Sequence, residues 1–171
     1  MQLTDADMER LRHPSPSFKL FEPTDEKIAV VADKLISTPL FIEDQDRNEK
    51  TIAYFIDSFL MRTGFALAYE VPDFGGIVGF MDIRPGWKAE AILKLWDKSK
   101  YGAKTVREAR DIMKLIMDTF DLKRLNTQTA DPVVDKLARL CGFEREGLRI
   151  GDYMWGGQIY DRYILGYEAK E

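Results

Sequence analysis

The sequence predicts an α+β domain built on a mixed, twisted sheet, and three observations carry that expectation. Between Val106 and Phe120 the apolar residues are Val106, Ala109, Ile112, Met113, Ile116, Met117 and Phe120. This is the i, i+3, i+4, i+7 stripe of an amphipathic helix. Strand-like runs flank that helix, Glu90–Trp96 before it and Arg124–Thr129 after it. A helix of this length between two strands calls for a parallel pair that splays apart, joined by a crossover. On either side of this unit the period falls to two. Phe65, Leu67, Tyr69 and Val71 alternate, and Trp155-Gly156-Gly157 makes a hairpin turn between Glu144–Met154 and Gln158–Tyr167.

The remaining elements follow in chain order. A short helix starts after Thr4 or Asp5 and is broken by Pro14 and Pro16, which marks residues 1–16 as an N-terminal arm and residues 17–171 as a single domain. Phe18 to Phe21 reads as a strand. Thr24 caps a helix with Asp25 and Glu26 in its first turn and Ile28, Val31, Ala32 and Leu35 on one face. The next helix carries Ile52, Phe55, Ile56 and Phe59, with Gly64 placed to end it. Pro72 to Gly76 turns the chain into a strand over Ile77–Arg84, and Pro85-Gly86 turns it again. Asp131-Pro132 starts the last helix as cap and first residue; Val134, Leu137, Leu140 and Cys141 form its inner face, and Gly142 ends it. The order is β-α-α-β-β-β-α-β-α-β-β, with no repeat or linker. Phe143, Leu137, Ile112, Ile116 and Leu93 are expected to share one core.

Composition narrows the function classes. The chain has 171 residues, 45% of them apolar, enough for one well-buried core. It has no apolar run of membrane-spanning length and no secretory signal pattern. A single cysteine, Cys141, excludes an internal disulfide and favours a cytoplasmic or otherwise reducing setting. A net charge of −4 with no basic block argues against a nucleic-acid partner. The one histidine, His13, lies between chain breakers, and no His/Cys/Asp/Glu spacing suits a metal. Cys141, on the inner face of its helix, is expected to be inert.

The stretch Leu93 to Ala109 organises the rest. A strand passes through a loop with one glycine, Gly102, into the long helix, so backbone N–H groups converge where the helix dipole favours negative charge. Such a corner can hold a phosphate. Together with this corner, the element order and the run from Asp131 to Gly147 (DPVVDKLARLCGFEREG) resemble the GNAT superfamily of N-acetyltransferases. The pattern is nearest to its ribosomal-protein N-terminal acetyltransferase branch. Gly142-Phe143, Glu146-Gly147, the Trp155-Gly156-Gly157 turn and Asp161 fit that branch. The resemblance spans about residues 17–168 and implies a sheet of six to seven strands with helices on both faces.

It also implies acetyl-CoA as cofactor. Its pantetheine arm would lie along Leu95 and Trp96, and its pyrophosphate on the amides of Tyr101, Gly102, Ala103, Lys104, Thr105 and Val106, with Lys104 or Lys100 supplying charge. The family's loop places Gln or Arg, Gly, and Gly or Ala where Ser99, Gly102 and Lys104 stand here. Its helix-starting asparagine is Asp131, its thiolate-protonating tyrosine is Ala138, and the serine of the nearest branch is Val134. Direct acyl transfer needs a base for the amine and an acid for the thiolate. Glu90 is the leading base candidate and Asp82 the second; Tyr153 or water would supply the proton.

Three functions fit these residues. The first is an acetyl-CoA-dependent N-acetyltransferase acting on a small-molecule amine or a protein amino terminus. The second is a catalytically silent GNAT-fold structural or interaction protein, as a homo-oligomer or within a larger assembly such as a virus particle. The third is a module that binds acyl-CoA without turnover. The first is favoured by analogy with the superfamily, and neither nucleic acid nor membrane is expected as a partner.

Overall fold

The computed structural model describes residues 3–60 and 66–169. Helix α1 spans Asp5–Arg12, β1 Lys19–Leu20, α2 Asp25–Ser37 and α3 Glu49–Phe55, which runs on as a π-helical turn, Ile56–Leu60. Strands β2 (Leu67–Glu70), β3 (Gly76–Arg84) and β4 (Lys88–Leu95) follow, then α4 (Ala103–Phe120) and β5 (Arg124–Thr129). Helix α5 (Pro132–Leu140) and the hairpin β6 (Glu144–Trp155) and β7 (Gln158–Glu168) complete the chain. The seven strands form one sheet in the order β1-β2-β3-β4-β5-β7-β6. All neighbours are antiparallel except β4 and β5.

That one parallel pair is the feature from which the site is built. β4 and β5 pair only at Lys88–Arg124, Ala89–Leu125 and Glu90–Asn126. Beyond Glu90, β4 continues to Leu95 against β3 alone, while β5 continues to Thr129 against β7. The two strands therefore splay, as the helix between them led us to expect, and the β5-side edge of β4 from Ala91 onward has no strand partner among the described residues.

Both faces of the sheet are covered. On one face α1, α4 and α5 contribute to a core that includes Leu11, Ile112, Ile116, Leu137 and Phe143, with Leu93 packed against it at its margin. Of the five residues expected to share a buried core, Phe143, Leu137, Ile112 and Ile116 do so, whereas Leu93 is only half-buried at its edge. On the other face, residues of α2 and α3 pack with Phe59, Leu60 and Ile77. A Cβ on Gly79 would stand 2.4 Å from both the Leu67 carbonyl oxygen and the Phe59 ring. Only glycine lets the π-helical turn approach β3 so closely.

Local chemistry explains the boundaries. Thr4 and Asp7 form a reciprocal capping box at α1, and Thr24 and Asn48 cap α2 and α3 through their side-chain oxygens. Asp131 caps α5 by accepting from the Val133 N–H, with Pro132 next to it. Gly156 and Gly157, at φ 59° and 74°, supply the two left-handed residues of a tight hairpin turn. The long helix starts at Ala103, three residues before its apolar stripe. The first strand shrinks to Lys19–Leu20, flanked by Phe18 and Phe21, which anchor the two cores, and the Phe21 N–H still donates to the Ala68 carbonyl at 2.8 Å. Gly64, expected to end α3, and Phe65 lie outside the described residues.

The stretch set apart in sequence as an arm packs on α4. Leu11 is 1% exposed. The turn between Pro14 and Phe18 is pinned to Glu108 of α4, which accepts from Ser15 Oγ, Ser17 Oγ and the Ser17 N–H, each at 2.9 Å. Burial alone would raise the Glu108 carboxyl; the serine hydrogen bonds outweigh it and hold the group below its ordinary value.

Candidate active site

Two cavities meet where β4 and β5 part. The larger, about 420 Å³, lies on the side of α3 and the loop 40–46 and is lined by Glu90, Ile92 and Lys94 of β4, among others. The smaller, about 50 Å³, lies on the side of α4 and α5 and is lined by Tyr101, Ala138, Cys141 and Phe143. Ala91, Ile92, Leu93, Thr127 and Val134 line both, so the gap in the sheet joins them.

The smaller cavity leads toward the start of α4. Gly102 is the N-cap residue of α4 and no side chain caps it. The first amides of a helix lack intrahelical partners, so Ala103, Lys104 and Thr105 present donors at the positive end of the dipole. A Cβ on Gly102 would meet nothing within 4 Å, so this corner is open. Thr105 turns its hydroxyl back to the Lys100 carbonyl, which leaves the site to backbone groups. Lys104 is exposed, its ammonium 3.6 Å from Glu108, whereas Lys100 is paired with Asp73 at 2.9 Å and raised by that contact. Of the two lysines expected to supply charge, Lys104 is the more available. Leu95 is fully buried, and the Trp96 indole donates to the Phe74 carbonyl at 2.8 Å. Their side chains hold the end of β4, so its backbone faces the gap.

Asp131 is buried, but its carboxylate is committed: one oxygen caps α5 and the other accepts from Lys98 Nζ at 2.8 Å. The charge that would oppose an anionic ligand is neutralised within the chain by Lys98, a residue the sequence reading passed over. Tyr101 places its hydroxyl 3.6 Å from Cys141 Sγ. Burial pushes both groups up, so the Cys141 thiol stays protonated at neutral pH.

In the larger cavity the candidate residues separate. Glu90 faces the cleft and accepts from Asn126 Nδ2 at 2.9 Å across the last rung before the splay. Asp82 does not face it. A bulge between Met81 and Arg84 turns Asp82 to φ 48°, and its half-exposed carboxylate pairs with Arg84 at 2.9 Å. The second base candidate is thus directed away by the bulge. Tyr153 lines the cleft, is 9% exposed, and its hydroxyl has no hydrogen-bond partner among the described residues. Burial, then the Glu43 carboxylate, pushes it above the ordinary phenol value, so it holds its proton at neutral pH.

The outer wall is loop 40–46, to which the sequence assigned no role. Asp44 accepts from the Gly156 and Gly157 N–H groups at 3.0 and 2.9 Å, and those two bonds lower its pKa. Glu43 pairs with Arg162, which also meets Asp152 at 3.0 Å. The loop is thereby fastened to the β6–β7 hairpin, and between them lies Lys94, bonded to the Phe41 carbonyl and 5.3 Å from the Phe41 ring centroid. Lys94 alternates with Glu90 and Ile92 on one face of β4, a period-two signal present in the sequence. Among the described residues no acidic or histidine cluster could hold a metal, and no helix is long and apolar enough to cross a membrane.

A sheet opened by one splayed parallel pair, with an uncapped helix start on one side and a cleft on the other, is the GNAT acetyltransferase fold, and solved structures agree. The spermidine N-acetyltransferase of Vibrio cholerae, in complex with CoA and spermine, superposes with a TM-score of 0.66 at 13% identity, covering 90% of this chain and 96% of that one. An acetyltransferase from Salmonella typhimurium that modifies the N-terminal serine of a 50S ribosomal subunit protein gives 0.67 at 17%, covering 93% and 99%. RimL, a ribosomal protein α-N-acetyltransferase in complex with coenzyme A, gives 0.65 at 16%, covering 92% and 97%. No family model and no curated protein matches the sequence.

Proposed function

We propose that this chain is a cytoplasmic N-acetyltransferase that moves an acetyl group from acetyl-CoA to the amine of a small molecule or a protein amino terminus. The observation that carries the reading is the gap beyond Glu90–Asn126, with an uncapped helix start on one side and a cleft holding a carboxylate on the other. The residues fit the cofactor. The unpaired edge of β4 from Ala91 to Leu95 offers backbone groups to the pantetheine amides, and the open N–H groups of Ala103 to Thr105 offer donors to the pyrophosphate. Lys104 adds charge, and Lys98 cancels Asp131. When bound, acetyl-CoA supplies the activated acetyl group.

The protein's part is to orient the amine and move its proton. Glu90, fixed by Asn126, accepts a proton from the amine directly or through one water, which frees the nitrogen lone pair. As the C–N bond forms and the C–S bond breaks, the second proton, shed by the acylated nitrogen, would pass through water to the leaving sulfur, and Glu90 returns the first to solvent. Val134 and Ala138, the positions on α5 from which a side chain would otherwise serve, carry no acidic hydrogen. Tyr153 stands at the Glu43–Arg162 end of the cleft, where its retained proton serves to bind the substrate.

An acetyl-CoA consumption assay over a panel of amines and peptide amino termini tests this. Glu90→Gln is expected to lower turnover by about 10²–10⁴-fold, the usual range for general base help. Asp82→Asn is expected to leave it unchanged. Strong turnover untouched by Glu90→Gln would remove Glu90 from the mechanism, and no turnover with any amine would remove the transferase reading. The cleft itself favours transfer over a silent scaffold, because a scaffold has no use for a carboxylate at the splay.

A further inference from the structure

Among the described residues, Lys94 is a cation without a counter-ion. Each other basic side chain that lines or adjoins the cleft has an acid: Arg162 has Glu43 and Asp152, and Lys98 has Asp131. Lys94 Nζ donates only to the Phe41 carbonyl among the described residues, and the charged group that acts on it most is Arg162, of like sign. An ammonium carries three hydrogens, so two remain to be taken. Withdrawing such a group from water without a carboxylate is costly, and a ligand that brings one relieves the cost.

We infer that the cleft selects an amine whose chain also carries a carboxylate, and that Lys94 binds that carboxylate. This rests on the acetyltransferase reading and narrows its substrate class. The unpartnered Tyr153 hydroxyl in the same cleft adds a second donor. Single-charge donors suit a carboxylate better than a dianionic phosphate: Arg162 is already neutralised, and Glu43 and Asp46 on the facing loop repel a second negative charge.

Strand geometry sets the spacing. Glu90 and Lys94 are four residues apart on one face of β4, about 13 Å between Cα positions at strand rise. An α-amino acid is too short to place its amine by Glu90 and its own carboxylate by Lys94. An amino terminus followed by an acidic side chain spans the gap. A polyamine, which carries only positive charge, brings nothing for Lys94.

The test compares two peptides, Ala-Glu-Ala amide and its neutral isostere Ala-Gln-Ala amide, by calorimetric titration into the full chain with and without coenzyme A. The wild type is expected to bind the glutamate peptide about tenfold or more tightly than the isostere, the scale of a hydrogen-bonded charge pair. In Lys94→Met, whose side chain keeps the apolar stem, the preference is expected to vanish while the isostere binds as before. Equal binding of the two peptides by the wild type overturns the inference without needing any variant. So does a preference that survives Lys94→Met, or the absence of binding by either peptide. Acetyl transfer is followed separately. Turnover without charge discrimination sinks the inference and leaves the transferase standing; discrimination without turnover does the reverse.

Discussion

Lys94 and Glu108 show how a single residue reports on its surroundings. Burial and the neighbouring Arg162 push Lys94 down to about 8 from its usual 10.5. Below about pH 8 both the folded and unfolded chains carry its proton, and folding bears the full cost of hiding the charge. Between 8 and 10.5 the unfolded chain holds a proton that the folded chain has released, so this cost fades as pH rises. Lys94→Met is therefore expected to be more stable than the wild type at neutral pH, with the advantage shrinking across that window; urea denaturation at both ends measures it. Glu108 is the opposite case, a buried carboxylate held ionised by its hydrogen bonds. Its contribution is present above the ordinary carboxyl range and lost as pH falls through its lowered value. Glu108→Gln should cost about 1.5–3 kcal/mol by the scale of hydrogen bonds to charged groups. Hydrogen exchange at the Ser17 amide should rise with it, and unchanged exchange would show that the turn is held by Leu11 alone.

Among the elements, α4 and α5 carry much of one core, and α4 also the proposed cofactor corner. Phe143 follows α5, is 6% exposed and packs with Tyr167 at a ring separation of 5.8 Å. Truncation to alanine should cost about 3–5 kcal/mol, read by chemical denaturation. At the start of α4, Lys104→Glu should weaken acetyl-CoA binding about two- to fivefold at low salt, and the loss should shrink as salt screens the exposed charge. These elements were the most legible in the sequence, because a long apolar stripe and a cap followed by proline are local signals. The splay of β4 and β5 was legible through the helix that joins them. Asp82 was misplaced because a bulge is set by pairing with a neighbouring strand, and alternation along one strand does not reveal it. Loop 40–46 was illegible for the same reason: Asp44 meets Gly156 and Gly157 more than 110 residues away. The pairing of Lys98 with Asp131 was likewise nonlocal.

At the scale of the whole molecule, seven strands and two cores hold open one gap. The sheet binds itself everywhere except past Glu90–Asn126, and an amide-rich helix start lies on one side of that gap and a charged cleft on the other. Acetyl transfer by this chain requires an acyl-CoA in that gap. Calorimetric titration of acetyl-CoA into the purified full chain tests that most directly. Saturable binding of one molecule per chain, weakened by salt as its phosphates are screened, is the predicted result. A folded protein that gives no heat with acetyl-CoA and no displacement by coenzyme A at any salt concentration would contradict it.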